Sequence, residues 1–285
     1  MVTISLTLED FNTGACSLVI LEGIFMLEKL TELWKSRELI YTFVARDLKA
    51  RYRGTVLGFL WSFLDPLINM AVLWVIFGYL FARGIENFPI FLLIGILPWN
   101  FFASSVSQGS QAIVGNAGLI KKIYLPREIF PLATVLANLI HFLLALVVLG
   151  CVLPFVSVKI SLMGLLLFAP LIFILTTLFN YGAALFTSAL SVYFRDFPFI
   201  VESLLRVWYF ATPIFYSLKM IPERFRSFYL LNPLASAVTA YRQFLMEGRI
   251  PELSLLGLLA VTSLFTLAVG WFVFEKLQKG FAEEI

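Results

Sequence analysis

Residues 129–156, IFPLATVLANLIHFLLALVVLGCVLPFV, run through 28 consecutive positions without an Asp, Glu, Lys or Arg. A helix rises about 1.5 Å per residue, so ~20 apolar residues cross a hydrocarbon core of about 30 Å. This stretch exceeds that length. Five more long apolar stretches lie around it, at 57–81, 88–114, 161–194, 197–217 and 253–274, and only the first and fourth of these five hold any charge. The expected fold class is an all-α integral membrane protein with six transmembrane helices. Composition agrees: 60% of the chain is hydrophobic and 14% charged, with a mean hydropathy of +0.92, where a soluble chain carries about 25% charged residues.

Absences narrow the chemistry. No phosphate loop of the form G-x-x-x-x-G-K-[ST] occurs, so the chain is not expected to hydrolyse ATP by itself. No H-E-x-x-H run, no clustered Cys and His, and no D-x-D pair are present, so neither a metal site nor the usual metal-dependent glycosyl transfer is indicated. Cys16 and Cys151 lie far apart, and His141 is the lone histidine. Ion-coupled carriers bury titratable groups in their spans. Here the stretches 88–114, 161–194 and 253–274 are almost free of them. The exceptions elsewhere are Asp65, near the start of the first stretch, and Glu202 with Arg206 in the fifth. That pair, spaced i, i+4, reads as a structural ion pair or as a gate latch.

The termini and connections carry the charge. With both termini in the cytoplasm, thirteen Lys and Arg fall on the inner side and seven on the outer, which favours that orientation. Residues 1–25 alternate apolar and polar at first and lack a basic signal-peptide head. They are read as an extension ahead of a start at Met26, or else as a short strand. Residues 26–54 are expected to form cytoplasmic interface and gate helices, the first over 27–41 with Leu27, Leu30, Leu33 and Trp34 on one face. The second covers 43–54 and carries Arg46, Asp47, Lys49, Arg51, Tyr52 and Arg53. The six-helix domain occupies 55–278 and a cytoplasmic tail 279–285.

Two connections stand out. Between the second and third stretches, Asn116, Leu119, Ile120, Lys121, Lys122, Tyr124 and Arg127 form a short amphipathic element with projecting lysines, stopped by Pro126. A soluble partner could grip it; an ordinary basic inner loop is the plainer reading. Between the fifth and sixth stretches, residues 218–252 hold an apolar run of 13 residues, 233–245, too short to span. It is expected to be a re-entrant or interfacial helix, with Asn232 as its cap and Pro233 in its first turn.

Inside the spans the polar groups are mostly neutral. Asn100, Ser104 and Gln108 in the second stretch, together with Trp61, Trp208, Tyr209 and Tyr216, offer amides, hydroxyls and rings. These suit a hydroxyl-rich substrate such as a sugar polymer, held weakly at many points. The same residue types also serve as helix-helix contacts and interfacial belts.

At this point a resemblance is visible. The run RDLKARYRGTVLG at 46–58 with Trp61 and Pro66, IKKIYLPREIFP at 120–131, YFRD at 193–196, and then Pro213, Tyr216, Pro222, Asn232-Pro233 and Tyr241-Arg242 come in order. The chain thus resembles the membrane subunit of type-2 ABC exporters of cell-surface polysaccharide, the O-antigen, teichoic-acid and capsule exporter permeases, over roughly 27–278. The resemblance implies a homodimer bound to two copies of a separate ATPase subunit that holds ATP and Mg, with no cofactor on this chain. It implies a coupling helix over 116–127, an outer gate formed by Pro222, Asn232, Pro233, Tyr241 and Arg242, and a pore between protomers for lipid-linked polysaccharide. Membrane lipid is the remaining partner; nucleic acid is not expected. Asp65 and the first 25 residues depart from the pattern. Export of a drug or lipid, or a membrane-embedded glycan-modifying enzyme, are the alternatives.

Overall fold

The computed structural model describes residues 31–73, 75–76, 87–123, 125–156 and 158–285. The extension 1–25 and Tyr124 therefore lie outside the described residues. Among these residues the protein is almost wholly helical. Its sole β contact is an isolated bridge between Lys159 and Glu247.

Among the described residues, four continuous helical segments are long and apolar enough to cross a membrane: Phe88–Ser110, Ile129–Phe155, Gly164–Tyr193 and Leu253–Glu284. They are built around helices α3 (Phe88–Ser110), α5 (Ile129–Val152), α6 (Ala169–Tyr193) and α10 (Leu253–Leu277). Ahead of them stand α1 (Arg37–Tyr52) and α2 (Trp61–Leu73); the short α4 (Ala117–Ile120) follows α3. Between α6 and α10 come α7 (Phe197–Ala211), α8 (Glu223–Leu230) and α9 (Pro233–Leu245). A single turn, α11 (Phe281–Glu284), closes the chain.

Of the two remaining expected spans, α2 is described for 13 residues, and positions 74 and 77–81 of its stretch lie outside the described residues. α7 has 15, about 22 Å of helix, and stops where Thr212 turns extended ahead of Pro213. Pro213 cannot continue the helix because it lacks an N–H. The expected interface and gate helices are divided differently from the sequence reading. Residues 31–35 are helical, a turn falls at Ser36, and α1 then runs unbroken through the expected boundary near 42. α3 ends four residues before the expected limit at 114. There the Ser110 hydroxyl donates to the Ser107 carbonyl at 2.7 Å, a side-chain bond of the kind that competes with the helical ladder.

α10 packs most extensively on α6, and α3 lies between α5 and α6. The α6–α10 seam is close because it is made of glycine: a Cβ on Gly182 would sit 2.5 Å from the Leu267 Cα. Small residues of this kind let membrane helices approach where no hydrophobic driving force separates protein from lipid. α9 is buried against α3, α6 and α10. Gly164 leaves the space that Phe244 of α9 fills. This burial excludes a helix lying on the surface for 233–245.

Candidate functional site

The two ends of the bundle differ. At one end, here the basic end, α1, residues 111–128 and the C-terminus come together. Phe43 of α1 packs on Phe130 of α5 with ring centroids 5.1 Å apart. Eight residues further along both helices, Arg51 Nη2 donates to Asn138 Oδ1 at 2.8 Å and to Gln108 Oε1 of α3 at 2.9 Å. Asn138 Nδ2 donates to the same Gln108 oxygen at 3.1 Å. α1 thus runs parallel to α5 and carries a guanidinium about 12 Å inward from Phe130. A cavity of about 330 Å3 opens beside it, lined by Arg46, Asp47, Arg51, Gln108, Asn116 and His141 among others.

Asn116 is central to the expected coupling element. Its Nδ2 donates to the Ala112 carbonyl at 2.7 Å, which closes the turn after α3. Its Oδ1 accepts from Arg46 Nη1 at 2.8 Å. Arg46 also reaches Asp47 Oδ1 at 3.0 Å and covers the Phe43 ring. α4 then presents two faces: Ile120 is buried in the core and Leu119 half-buried, while Lys121, Lys122 and Ile123 are exposed. Beyond them lies a groove of about 650 Å3, lined by Lys121, Lys122, Arg127 and Glu128 and by Glu32, Glu275, Gln278 and Lys279 among others. Trp34 and Lys49 are exposed on the preceding helical segments. Arg53 leaves α1 in an extended conformation, and Gly54 turns the chain with φ +77°.

Along the bundle, α3 is the most buried of the four spans. Of its 23 residues only Asn100 and Gln108 are exposed. Ser104, halfway between them, is partly so. The spacing i, i+4, i+8 puts all three on one helical face. Lipid-facing helices elsewhere in the chain expose the opposite kind of side chain; α10 offers Val261, Leu264, Phe265, Val269 and Phe272. A stripe of amides and a hydroxyl on the one open face of α3 is suited to water, sugar or a second protomer, not to hydrocarbon.

The candidate aromatic residues divide. Trp61 is exposed. Trp208 packs edge-on to Phe102 at 5.1 Å and to Phe179 at 6.4 Å. Tyr209 lies 5.3 Å from Trp99 and 5.1 Å from Phe215. These two rings, each half-buried, join α7 to α3 and α6 through a second apolar cluster. Tyr216 donates to the Phe210 carbonyl at 2.9 Å and meets Tyr229 edge-on. Glu202 and Arg206 approach to 4.0 Å on the open face of α7, both well exposed, a geometry that contributes little to stability.

At the other end, Asn232 caps α9 as its sequence foretells. Its Oδ1 accepts from Leu234 N at 3.1 Å and its Nδ2 donates to Thr212 Oγ1 at 3.1 Å. Pro233 opens the helix. Pro222 precedes α8, which exposes Phe225 and Phe228. Tyr241 is buried. Arg242 is buried too, and donates to the carbonyls of Pro213 at 2.6 Å, Ile214 at 2.8 Å and Phe91 at 3.1 Å. The sequence names Arg242 but gives no hint of these partners. It missed Asn138 altogether.

With this geometry in view, relatives identify the family. A model described as ABC-2 type transporter matches residues 38–246. The chain belongs to the ABC-2 transporter membrane family. It is 37% identical over 262 residues to the O-antigen export system permease protein RfbA of Myxococcus xanthus, covering 91% of this chain and 100% of the relative. It is 33% identical over 252 residues to the protein of that name in Klebsiella pneumoniae, covering 86% and 94%. The polysialic acid transport protein KpsM of Escherichia coli is 30% identical over 248 residues, covering 82% and 91%. The matched region contains all but the first residue of α1, residues 116–127, the α3 stripe and all of α9. Family and helices together make this a multi-pass membrane protein.

Proposed function

We propose that this chain is the membrane subunit of an ATP-driven exporter that moves lipid-linked polysaccharide, of the O-antigen kind, from cytoplasm to periplasm across a bacterial inner membrane. The observation that carries the reading is the polar stripe of Asn100, Ser104 and Gln108 on the otherwise buried α3. Names of relatives that export O-antigen or transport polysialic acid support the same cargo class. Neutral amides and hydroxyls bind a sugar chain weakly at successive points, so it is held yet slides.

In this reading two protomers pair so that their α3 stripes, with α2 and α7, line a common path. With the apolar stretches 57–81 and 197–217 counted as the first and fifth spans, each protomer has six, with both termini cytoplasmic. The basic end faces the cytoplasm. There two copies of an ATPase subunit, which hold ATP and Mg, seat against Lys121 and Lys122; this chain binds neither. Residues 31–52 lie at the membrane interface and guard the entrance, and α8 with α9 forms the outer gate. ATPase closure moves these elements as rigid bodies.

The test is export by proteoliposomes containing this chain and its ABC ATPase partner, with lipid-linked polysaccharide as cargo. Asn100→Leu and Ser104→Leu should abolish export while leaving assembly intact. Full export by the double variant would overturn the reading of α3 as a path wall. Uphill transport by this chain alone would overturn the assignment of a separate motor.

A further inference from the structure

The helical segment that ends the chain is longer than a bilayer needs. Leu253–Glu284 is 32 residues, about 48 Å, against a core of about 30 Å. The excess projects at the basic end. It is not a loose tail, because Phe281 is fully buried. The Phe281 ring meets Phe274, one heptad earlier on the same face, at 5.4 Å and Tyr193 of α6 at 6.2 Å. Tyr193 donates to the Leu277 carbonyl at 2.8 Å. Gly280 sits against the Tyr193 hydroxyl where a Cβ would collide.

The far end of the coupling element docks on this projection. Arg127 donates to the Gln278 carbonyl, and its guanidinium carbon stands 5.8 Å above the Phe281 ring. Gln278 Nε2 donates to Glu128 Oε1 at 3.3 Å. Residues 117–128 are joined covalently to α3 and α5 only. These contacts are what join them to α10, and α10 is in turn seamed to α6.

We propose that the projecting end of the Leu253–Glu284 segment, beyond α10 itself, is a second arm of the coupling device: Phe281 and Gln278 are positioning residues that hold Arg127 and Glu128, so that displacement of the coupling element reaches α10 and α6 as well as α3 and α5. This rests on the exporter reading above. Phe281 acts by filling the space beneath Arg127, and Gln278 by matching the Glu128 carboxylate.

The experiment measures ATP hydrolysis and polysaccharide export in proteoliposomes holding the complete transporter. Phe281→Ala should keep ATP hydrolysis but lower export per ATP by about fivefold, the scale of side chains along a coupling network. Phe281→Leu, which keeps most of the apolar volume, should restore it. Should Phe281→Ala fail to assemble, the charge pair at 278 decides. Gln278→Glu sets a second carboxylate against Glu128 and should lower export per ATP; Gln278→Lys should keep it. Wild-type export with unchanged ratios in Gln278→Glu and in any assembled Phe281→Ala would overturn the second arm alone. A wild-type complex that hydrolyses ATP without exporting would overturn the exporter reading instead.

Discussion

The guanidinium carbon of Arg242 stands 3.4 Å over the ring of Phe91, and the same guanidinium donates to the Phe91 carbonyl. A helix too short to span is thereby fixed to the first turn of a helix long and apolar enough to span. The remaining bonds of Arg242 go to Pro213 and Ile214, the stretch where α7 has broken. One planar cation donates to three carbonyls, two of them in the non-helical stretch after α7 and one in the first turn of α3. Cation–π attraction adds to this where water is excluded.

Arg242→Lys should therefore not rescue Arg242→Met. An ammonium has three donors but no planar fork to span the three acceptors. Loss of the guanidinium leaves buried carbonyls without partners, at a cost of about 1–3 kcal/mol for each. Both variants should unfold at lower temperature than wild type in detergent, and protease should cut first within 212–232. Equal thermal midpoints for Lys and Arg at 242 would remove the fork from the argument.

The α6–α10 seam makes a sharper comparison. A Cβ on Gly270 would strike the Gly182 carbonyl, and one on Gly182 would strike the backbone of Leu267 and Thr266. Backbone cannot step aside as a flexible side chain can. Gly182→Ala and Gly270→Ala should each destabilise by about 1–3 kcal/mol, the cost of overpacking. Gly257, also in α10, has nothing within 4 Å of its Cβ position. Gly257→Ala should be neutral or stabilising by up to about 1 kcal/mol through helix propensity. Thermal unfolding of the three variants side by side checks the contrast.

Much of this fold is legible in the sequence because lipid leaves few options. Charge-free length alone locates α5, α6 and α10, and Asn232-Pro233 marks the start of α9 to the residue. What stays hidden has its partners far along the chain. Arg242 pairs with carbonyls, which carry no side-chain signature. Asn138 carries no signal of its own, because its partner Arg51 lies 87 residues away on α1. Trp208 and Tyr209 suit a sugar path as residue types, yet the structure sets both rings in an apolar cluster. Composition cannot tell an exposed ring from a half-buried one. Phe281 did leave a trace, since Phe274 and Phe281 are spaced i, i+7.

Arg51 gives a prediction about the entrance. It is held by one oxygen on α3 and another on α5, and those two amides also bond each other. Arg51→Ala removes the tie between α1 and both spans while leaving Phe43 on Phe130. Amide hydrogen exchange in the second half of α1, residues 45–52, should rise by about tenfold, the equivalent of one hydrogen bond to a charged group. The first half should change less. Uniform exchange along α1 in wild type and variant would mean that the apolar contact, not the guanidinium, sets its position.

The coupling lysines can be judged by charge sign. Ile120 anchors the turn in the core while Lys121 and Lys122 point outward, so changing the lysines should spare the fold. Lys121→Glu with Lys122→Glu replaces two positive charges by two negative ones at the surface assigned to the ATPase. Like charges placed across an interface cost affinity and slow encounter. Export should fall to near background, and ATP hydrolysis by the co-purified ATPase should lose its response to cargo. Lys121→Arg with Lys122→Arg keeps the sign and should retain most export. Because charge at a rim is screened, moderate salt should weaken the wild-type complex more than the Glu variant. Unchanged assembly and coupling in the Glu variant would move the docking surface away from 121–122 and towards the groove walled by Glu275 and Lys279.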